Sequence, residues 1–208
     1  MPLARYESID STLKGKILDV SKQEFATHGY EDASYNKIIQ KIGISKGSMY
    51  YYFENKEDLF ITCFLDEART VRSLSFEIDG LSELVDHDVY WNSIQTLSAQ
   101  RWKASFQHPR LMNLMHQVAS LGSEHPIVRK LNNACEGLIE YNDFLNILEQ
   151  GVQIDAVRSD VPLQVLLRMS TEYELWLLQE MRDEHLGVNE VVSRSFEMFK
   201  QLFETKGE

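Results

Sequence analysis

Apolar residues recur at intervals of three and four along nearly the whole chain, the spacing that gathers side chains on one face of an α-helix. No run alternates apolar and polar positions between turn signals as a hairpin would, so the pattern predicts an all-α protein. Leu13, Ile17, Val20 and Phe25 form the stripe of a first helix, expected to end near His28 and Gly29, where glycine suits a left-handed C-cap. Ser34 is placed to N-cap a short second helix with Ile38, Ile39 and Ile42 on its inner face, and Gly43 closes it. Ser45 caps a third helix, in which Met49 and Phe53 face inward one turn apart. A longer helix then begins in "ENKEDLF", with Leu59, Phe60, Phe64 and Leu65 inward, and its pattern runs to about Ser75.

Past Gly80 the segments lengthen. Helices are predicted from about Asp88 to Gln107, from Pro109 to Leu121 and from about Glu124 to Gln150, with Pro109 and Pro126 suited to a first turn. "GVQIDAVRSDVP" breaks the pattern, and Asp160 can cap the helix after it. The helix 161–182 is apolar on more than one side and must be covered on more than one side; the helix 188–204 carries a stripe rich in phenylalanine. Together they suggest a homodimer interface built from Leu166, Met169, Tyr173 and Leu177 on one helix and Val192, Phe196, Phe199 and Phe203 on the other. The alternative is that both helices only close the core of one chain.

Composition changes this picture little. A content of 43% hydrophobic and 25% charged residues belongs to an ordinary soluble globular protein. The charged N-terminus lacks a signal-peptide core and no stretch approaches the ~20 apolar residues of a membrane span, so a cytoplasmic protein with no membrane partner is expected. Cys63 and Cys135 sit in apolar helical patterns without a CxxC, and read as reduced, buried thiols. Charge is more informative when divided along the chain. Of the net −11, residues 1–56 contribute eight Lys and Arg against seven Asp and Glu, and residues 57–208 contribute 13 against 25. An acidic body repels DNA from every surface except the near-neutral one, although solubility alone would also account for it.

The stretch "GISKGSMYYYFENKEDLF" places three consecutive tyrosines behind Lys46, a poor choice for a dry core because each phenol would need a partner. Helix, short glycine turn and helix over Ser34–Phe53 is the pattern of a helix-turn-helix, whose second helix enters the major groove. With Met49 and Phe53 inward, Lys46, Ser48, Tyr51 and Tyr52 point outward or to the flanks. Phenol hydroxyls reach phosphates or base edges, and Gly47 lets the backbone approach the duplex. Ser34 and Lys56, each at a helix start, are placed to clamp phosphates.

Residues 17–60, "ILDVSKQEFATHGYEDASYNKIIQKIGISKGSMYYYFENKEDLF", resemble the DNA-binding domain of the TetR family of bacterial transcriptional regulators. The matching features are Phe25 followed by Gly29-Tyr30, Ile38, the run Gly43 to Ser48 before Met49-Tyr50, Phe53, and Lys56-Glu57-Asp58-Leu59. The rest of the chain is similar only in length, helical pattern and paired C-terminal helices. Ile39 and Ile42 stand where a small alanine is usual, Tyr52 where histidine is common, and Tyr35 where a smaller residue is usual; these departures bear on the operator sequence, not the fold. The resemblance implies that Ser34, Tyr35, Asn36, Ser45, Lys46, Gly47, Ser48, Tyr50, Tyr51, Tyr52 and Lys56 face double-stranded DNA, a palindromic operator. It also implies a small-molecule effector among the C-terminal helices. The candidate lining is aromatic and sulfur-rich: Trp102, Phe106, Met112, Met115, His116, Phe144, Tyr173 and Trp176, residues that equally suit an ordinary core.

No GxSxG, GxxxxGK[ST] or HExxH motif and no ligand-spaced Cys/His cluster is present, so no catalytic residue, metal site or cofactor is expected. The expectation is an all-α chain of about nine helices, with a helix-turn-helix domain over 1–55 and a helical ligand-binding and dimerisation domain over 56–208. Its expected function is that of a repressor released by a small molecule. An architectural chromosome-binding protein of the same fold, without a ligand, is the alternative.

Overall fold

The computed structural model describes residues 3–73, 86–136, 139–184 and 186–205. Eleven helices are described: α1 (Ala4–Glu7), α2 (Ser11–Asp32), α3 (Tyr35–Ile42), α4 (Lys46–Tyr52), α5 (Lys56–Ser73), α6 (His87–Phe106), α7 (Pro109–Leu121), α8 (Pro126–Glu136), α9 (Ile139–Gln153), α10 (Leu163–Glu184) and α11 (Val188–Phe203). An isolated β-bridge joins Val157 to Glu204, and no strand forms among the described residues. The two helices beyond the predicted nine are α1, which precedes the first apolar stripe, and the division of the 124–150 segment into α8 and α9, between which residues 137–138 lie outside the described residues. The expected helix end near Ser75 also lies outside them.

The chain forms two compact units, Met1–Thr70 with Pro109–Ala134, and Val71–His108 with Cys135–Glu208. By packing, most of α5 and all of α7 group with the N-terminal helices. In the first unit α5 joins the N-terminal helices because Phe60 meets Phe25 edge-on at 5.1 Å, and α7 joins them because Gln117 Nε2 donates to the Phe25 carbonyl at 3.1 Å. Ile17, Phe25, Ile38, Ile42, Met49, Phe53, Leu59 and Cys63 fill the core of this unit. Burial pushes the Cys63 thiol pKa up, which suits an inert core thiol; Cys135 is only half-buried.

The regular helix breaks at Gly29, where the sequence places its end: at φ 79° and ψ 173° this residue occupies a region open to glycine, and a short helical turn follows it to Asp32. A side chain there would also meet Gln117 Oε1 at 2.6 Å. Lys22, buried in the same unit, bridges Asp66 at 2.6 Å and Glu67 at 2.8 Å, tying α2 to α5.

In the second unit α6, α9, α10 and α11 enclose Tyr90, Trp91, Ile94, Ile147, Leu148, Leu166, Leu167, Phe196 and Phe203. Tyr90 donates its hydroxyl to the Ile147 carbonyl at 3.2 Å, so this buried phenol is satisfied. Asp160 does not cap α10: its carboxylate takes both the Nε and the Nη2 of Arg158, at 2.6 and 2.5 Å, and the helix starts at Leu163 after Pro162. No helix among the described residues is long and apolar enough to cross a membrane.

Candidate nucleic-acid interface

The two short helices α3 and α4 are defined at each end by the sequence. Ser34 Oγ accepts from Lys37 N at 3.3 Å and Ser45 Oγ from Ser48 N at 2.9 Å, so both N-caps form as the residue types require. Gly43, at φ 79° and ψ 28°, supplies the left-handed turn between them. Met49 and Phe53 are wholly buried, which fixes the rotation of α4 about its own axis. That rotation leaves Tyr50 and Tyr51 among the most exposed large side chains, at 45% and 49%.

Not every predicted DNA-facing residue is equally available. Ser45, Lys46, Gly47 and Asn36 are exposed. Tyr35 is half-buried, with its hydroxyl on the Phe53 carbonyl at 3.4 Å and its ring 5.4 Å from Tyr50; burial raises its pKa. Ser48 Oγ shares a hydrogen bond with Ser45 Oγ at 2.8 Å, and half-buried Tyr52 packs edge-on against Tyr51. Lys56 departs most from its expected role: its ammonium donates to the Glu31 and Ala33 carbonyls at 3.0 and 3.3 Å and lies 4.8 Å from the Tyr30 ring, so it closes the end of α2 and has one donor left for a phosphate.

Gly47 is open in a different sense. A methyl group at this position would meet only Ser45 Oγ, at an unstrained 3.8 Å. Nothing inside the chain therefore requires glycine there, although glycine weakens a helix.

Ion pairing sorts the cations of this region. Glu7 takes Lys14, Asp66 and Glu67 take Lys22, and Glu24 takes Lys41. Among the described residues no carboxylate pairs with Arg5, Lys16, Lys37 or Lys46; Lys46 Nζ stands 5.9 Å from the Tyr50 ring. Arg5 has no sequence signal of its own, because α1 precedes the first periodic stripe. It lies with its guanidinium 4.4 Å from the centre of the Tyr51 ring.

The expected effector residues divide between the units: Met112, Met115 and His116 on α7, the other five in the second unit. Trp102 and Met112 are core residues, and the Trp102 indole N–H donates to Ser195 Oγ at 3.1 Å. Phe106 lies 6.4 Å from Trp102, Phe144 lies 5.9 Å from Phe199 and Tyr173 lies 5.4 Å from Trp176. A depression of about 400 Å³ bordered by Met198, Gln201, Leu202 and Glu204 shares no residue with the expected set.

Of the expected interface residues, Leu166, Leu177, Phe196 and Phe203 are buried within the single chain, where they pack its own core. Apolar character around much of α10 reflects two covered faces, and the sequence pattern does not separate the inner face from the outer one. The exposed apolar side chains of α10 are Val165, Met169 and Trp176, each at 45–50%. Tyr173, Val192 and Phe199 are half-buried.

Two capped helices around a left-handed glycine, with a buried inner face and an exposed tyrosine pair, define a helix-turn-helix DNA-binding protein. Residues 17–63 match the family model described as bacterial regulatory proteins, tetR family. Over 164 residues the chain is 25% identical to the HTH-type transcriptional repressor AcnR of Corynebacterium diphtheriae, covering 75% of this chain and 74% of that protein. It is 43% identical over 49 residues to the HTH-type transcriptional regulator QacR of Staphylococcus aureus, 24% of this chain and 26% of the other. A solved structure of a tetR family transcription regulator from Shewanella sp. PV-4 has the same fold, with a TM-score of 0.69 at 18% identity over 93% of this chain and 99% of that one. The chain belongs to the TetR family of DNA-binding transcriptional regulators, a non-enzymatic family.

Proposed function

We propose that this regulator works in the cytoplasm as a homodimeric repressor, holding a palindromic operator with residues 1–55 and leaving it when a small molecule binds among the helices of 56–208. The observation that carries the DNA-reading assignment is Gly47, a glycine near the start of α4 that no internal contact requires and that stands beside exposed Lys46 and within one turn of Tyr50 and Tyr51. A groove-facing backbone gives it a reason. Val165, Met169 and Trp176 are the side chains best suited to the subunit contact, since exposed large apolar groups sharing one helix mark interaction surfaces. Trp176 therefore serves that contact rather than a cavity. The half-buried Phe106, Phe144 and Tyr173 of the second unit remain candidates for effector contact, and Met115 and His116 are candidates within the first unit by itself.

Release needs no large motion. Two rigidly joined heads must meet half-sites about one helical turn apart or a multiple of it, so an effector acts simply by preferring the conformer whose spacing is wrong. The test is selection from a random duplex pool with purified protein, and then affinity on the selected sequence across a salt series. A palindrome with half-sites about a turn apart, and affinity falling steeply with salt, is the expected result. Many unrelated sites of similar affinity would instead indicate the architectural role, and no enrichment at low salt would remove the operator assignment.

A further inference from the structure

The helix α1 is too short to be stable alone, and its side chains explain why it is held. Tyr6 is buried and its ring lies 4.8 Å from that of Phe53, directly after α4. Leu3 N donates to the Tyr52 carbonyl at 2.9 Å, adding a main-chain tie to the last residue of α4. Lys14 Nζ stands 4.8 Å from the Tyr6 ring and is itself held by Glu7 at 2.6 Å. These contacts fix the residue between Ala4 and Tyr6. Arg5 is exposed, its guanidinium lies 4.4 Å from the centre of the Tyr51 ring, and no carboxylate among the described residues neutralises it.

We infer that Arg5 is a DNA-contacting residue, forming an ion pair with a backbone phosphate at the edge of each half-site while it stacks on Tyr51. The inference rests on the operator-binding reading and adds to the DNA face a residue from outside the helix-turn-helix. Geometry directs Arg5 to phosphate. The seven residues of α4 span ~10 Å at 1.5 Å per residue, against a major groove ~12 Å wide. With the Lys46 end of α4 against the bases, its Tyr51 end stands at the phosphate wall. A guanidinium there matches a phosphate with two parallel N–H donors, and a ring beneath it limits the orientations it must give up on binding.

The experiment compares the full-length wild-type protein with Arg5→Gln, Arg5→Lys and Tyr51→Ala on the pool-selected duplex and on a scrambled one, each across a salt series. Arg5→Gln keeps a flat polar group on Tyr51 and removes only the charge. A lost phosphate contact lowers the salt slope by ~1, so loss at both half-sites lowers it by ~2. The expected result is that Arg5→Gln loses this slope with similar weakening on both duplexes, because phosphate contacts carry no sequence information, and that Arg5→Lys retains it. An Arg5→Gln protein that keeps the wild-type slope overturns the inference, including the case where affinity falls but the slope does not, since Arg5 would then only brace Tyr51. If the wild-type protein discriminates the selected duplex from the scrambled one in that same experiment, the operator-binding reading survives the loss. A wild-type protein that binds neither duplex overturns both.

Discussion

Replacing Gly47 with alanine should strengthen the protein and weaken its function. The added methyl group meets only Ser45 Oγ at 3.8 Å, so the folded chain accepts it without rearrangement. Alanine in a helix is favoured over glycine by ~0.5–1 kcal/mol through backbone entropy. Position 47 lies in the first turn of α4, which argues for the lower end, and ~0.5 kcal/mol raises Tm by roughly 1–2 °C in a chain of this size. On the operator the sign reverses. A methyl group between the helix backbone and the duplex displaces α4 outward, and losing one base-edge contact costs ~1–3 kcal/mol, a fall of roughly five- to 150-fold in affinity. Thermal unfolding monitored by circular dichroism, and fluorescence anisotropy on the selected duplex, read the two effects separately. Operator affinity equal to wild type, with the small gain in Tm, would refute the placement of Gly47 against DNA. A loss of stability would refute the packing argument instead.

Three further perturbations address other parts of the molecule. Glu24, almost wholly buried, accepts a hydrogen bond from Lys41 Nζ at 2.7 Å, and that bond chiefly holds its carboxyl below the usual range against the opposing effect of burial; the Lys41 and His28 charges and the Ser34 backbone add to the lowering. A lowered folded-state pKa means that the unfolded chain takes up the proton first. The stabilisation is therefore complete above the ordinary glutamate range and is lost as pH falls through the depressed value. Lys41→Gln should move the acid unfolding midpoint to higher pH and lower stability at neutral pH by ~1 kcal/mol, the low end for a buried acceptor because the Lys41 side chain is half exposed; an unchanged acid midpoint would count against the pair. Trp176→Glu places a charge on the exposed side of α10 and should yield folded monomers by sedimentation, with operator affinity falling as well, whereas Leu177→Ala should cost ~2–5 kcal/mol of fold stability as a buried truncation. A Trp176→Glu protein that remains dimeric would move the interface elsewhere.

The sequence by itself determined the local elements whose signals are short-range. Ser34 and Ser45 cap the helices they precede, Gly43 takes the left-handed turn, and Pro109 and Pro126 open α7 and α8, because each of these residues acts on backbone groups within a few positions. Periodicity likewise placed Met49 and Phe53 inside and helical geometry set Tyr51 outside, but it pointed to Tyr52 as the second outward tyrosine, where the fold exposes Tyr50 and half-buries Tyr52. Tertiary structure decided what depends on neighbours distant in sequence. A helix apolar on several sides does not disclose which side another helix of the same chain covers, so Leu166 and Leu177 proved internal while Val165, Met169 and Trp176 stayed exposed. Lys56 carries the same charge as Lys46, yet the carbonyls at the end of α2 hold its ammonium and leave Lys46 without an ionic partner among the described residues. Arg5 has no periodic signal at all. Only the burial of Tyr6 beside Phe53 fixes its backbone and sets the guanidinium on Tyr51, since a side chain's surroundings are set by packing across the fold and its identity only by the chain.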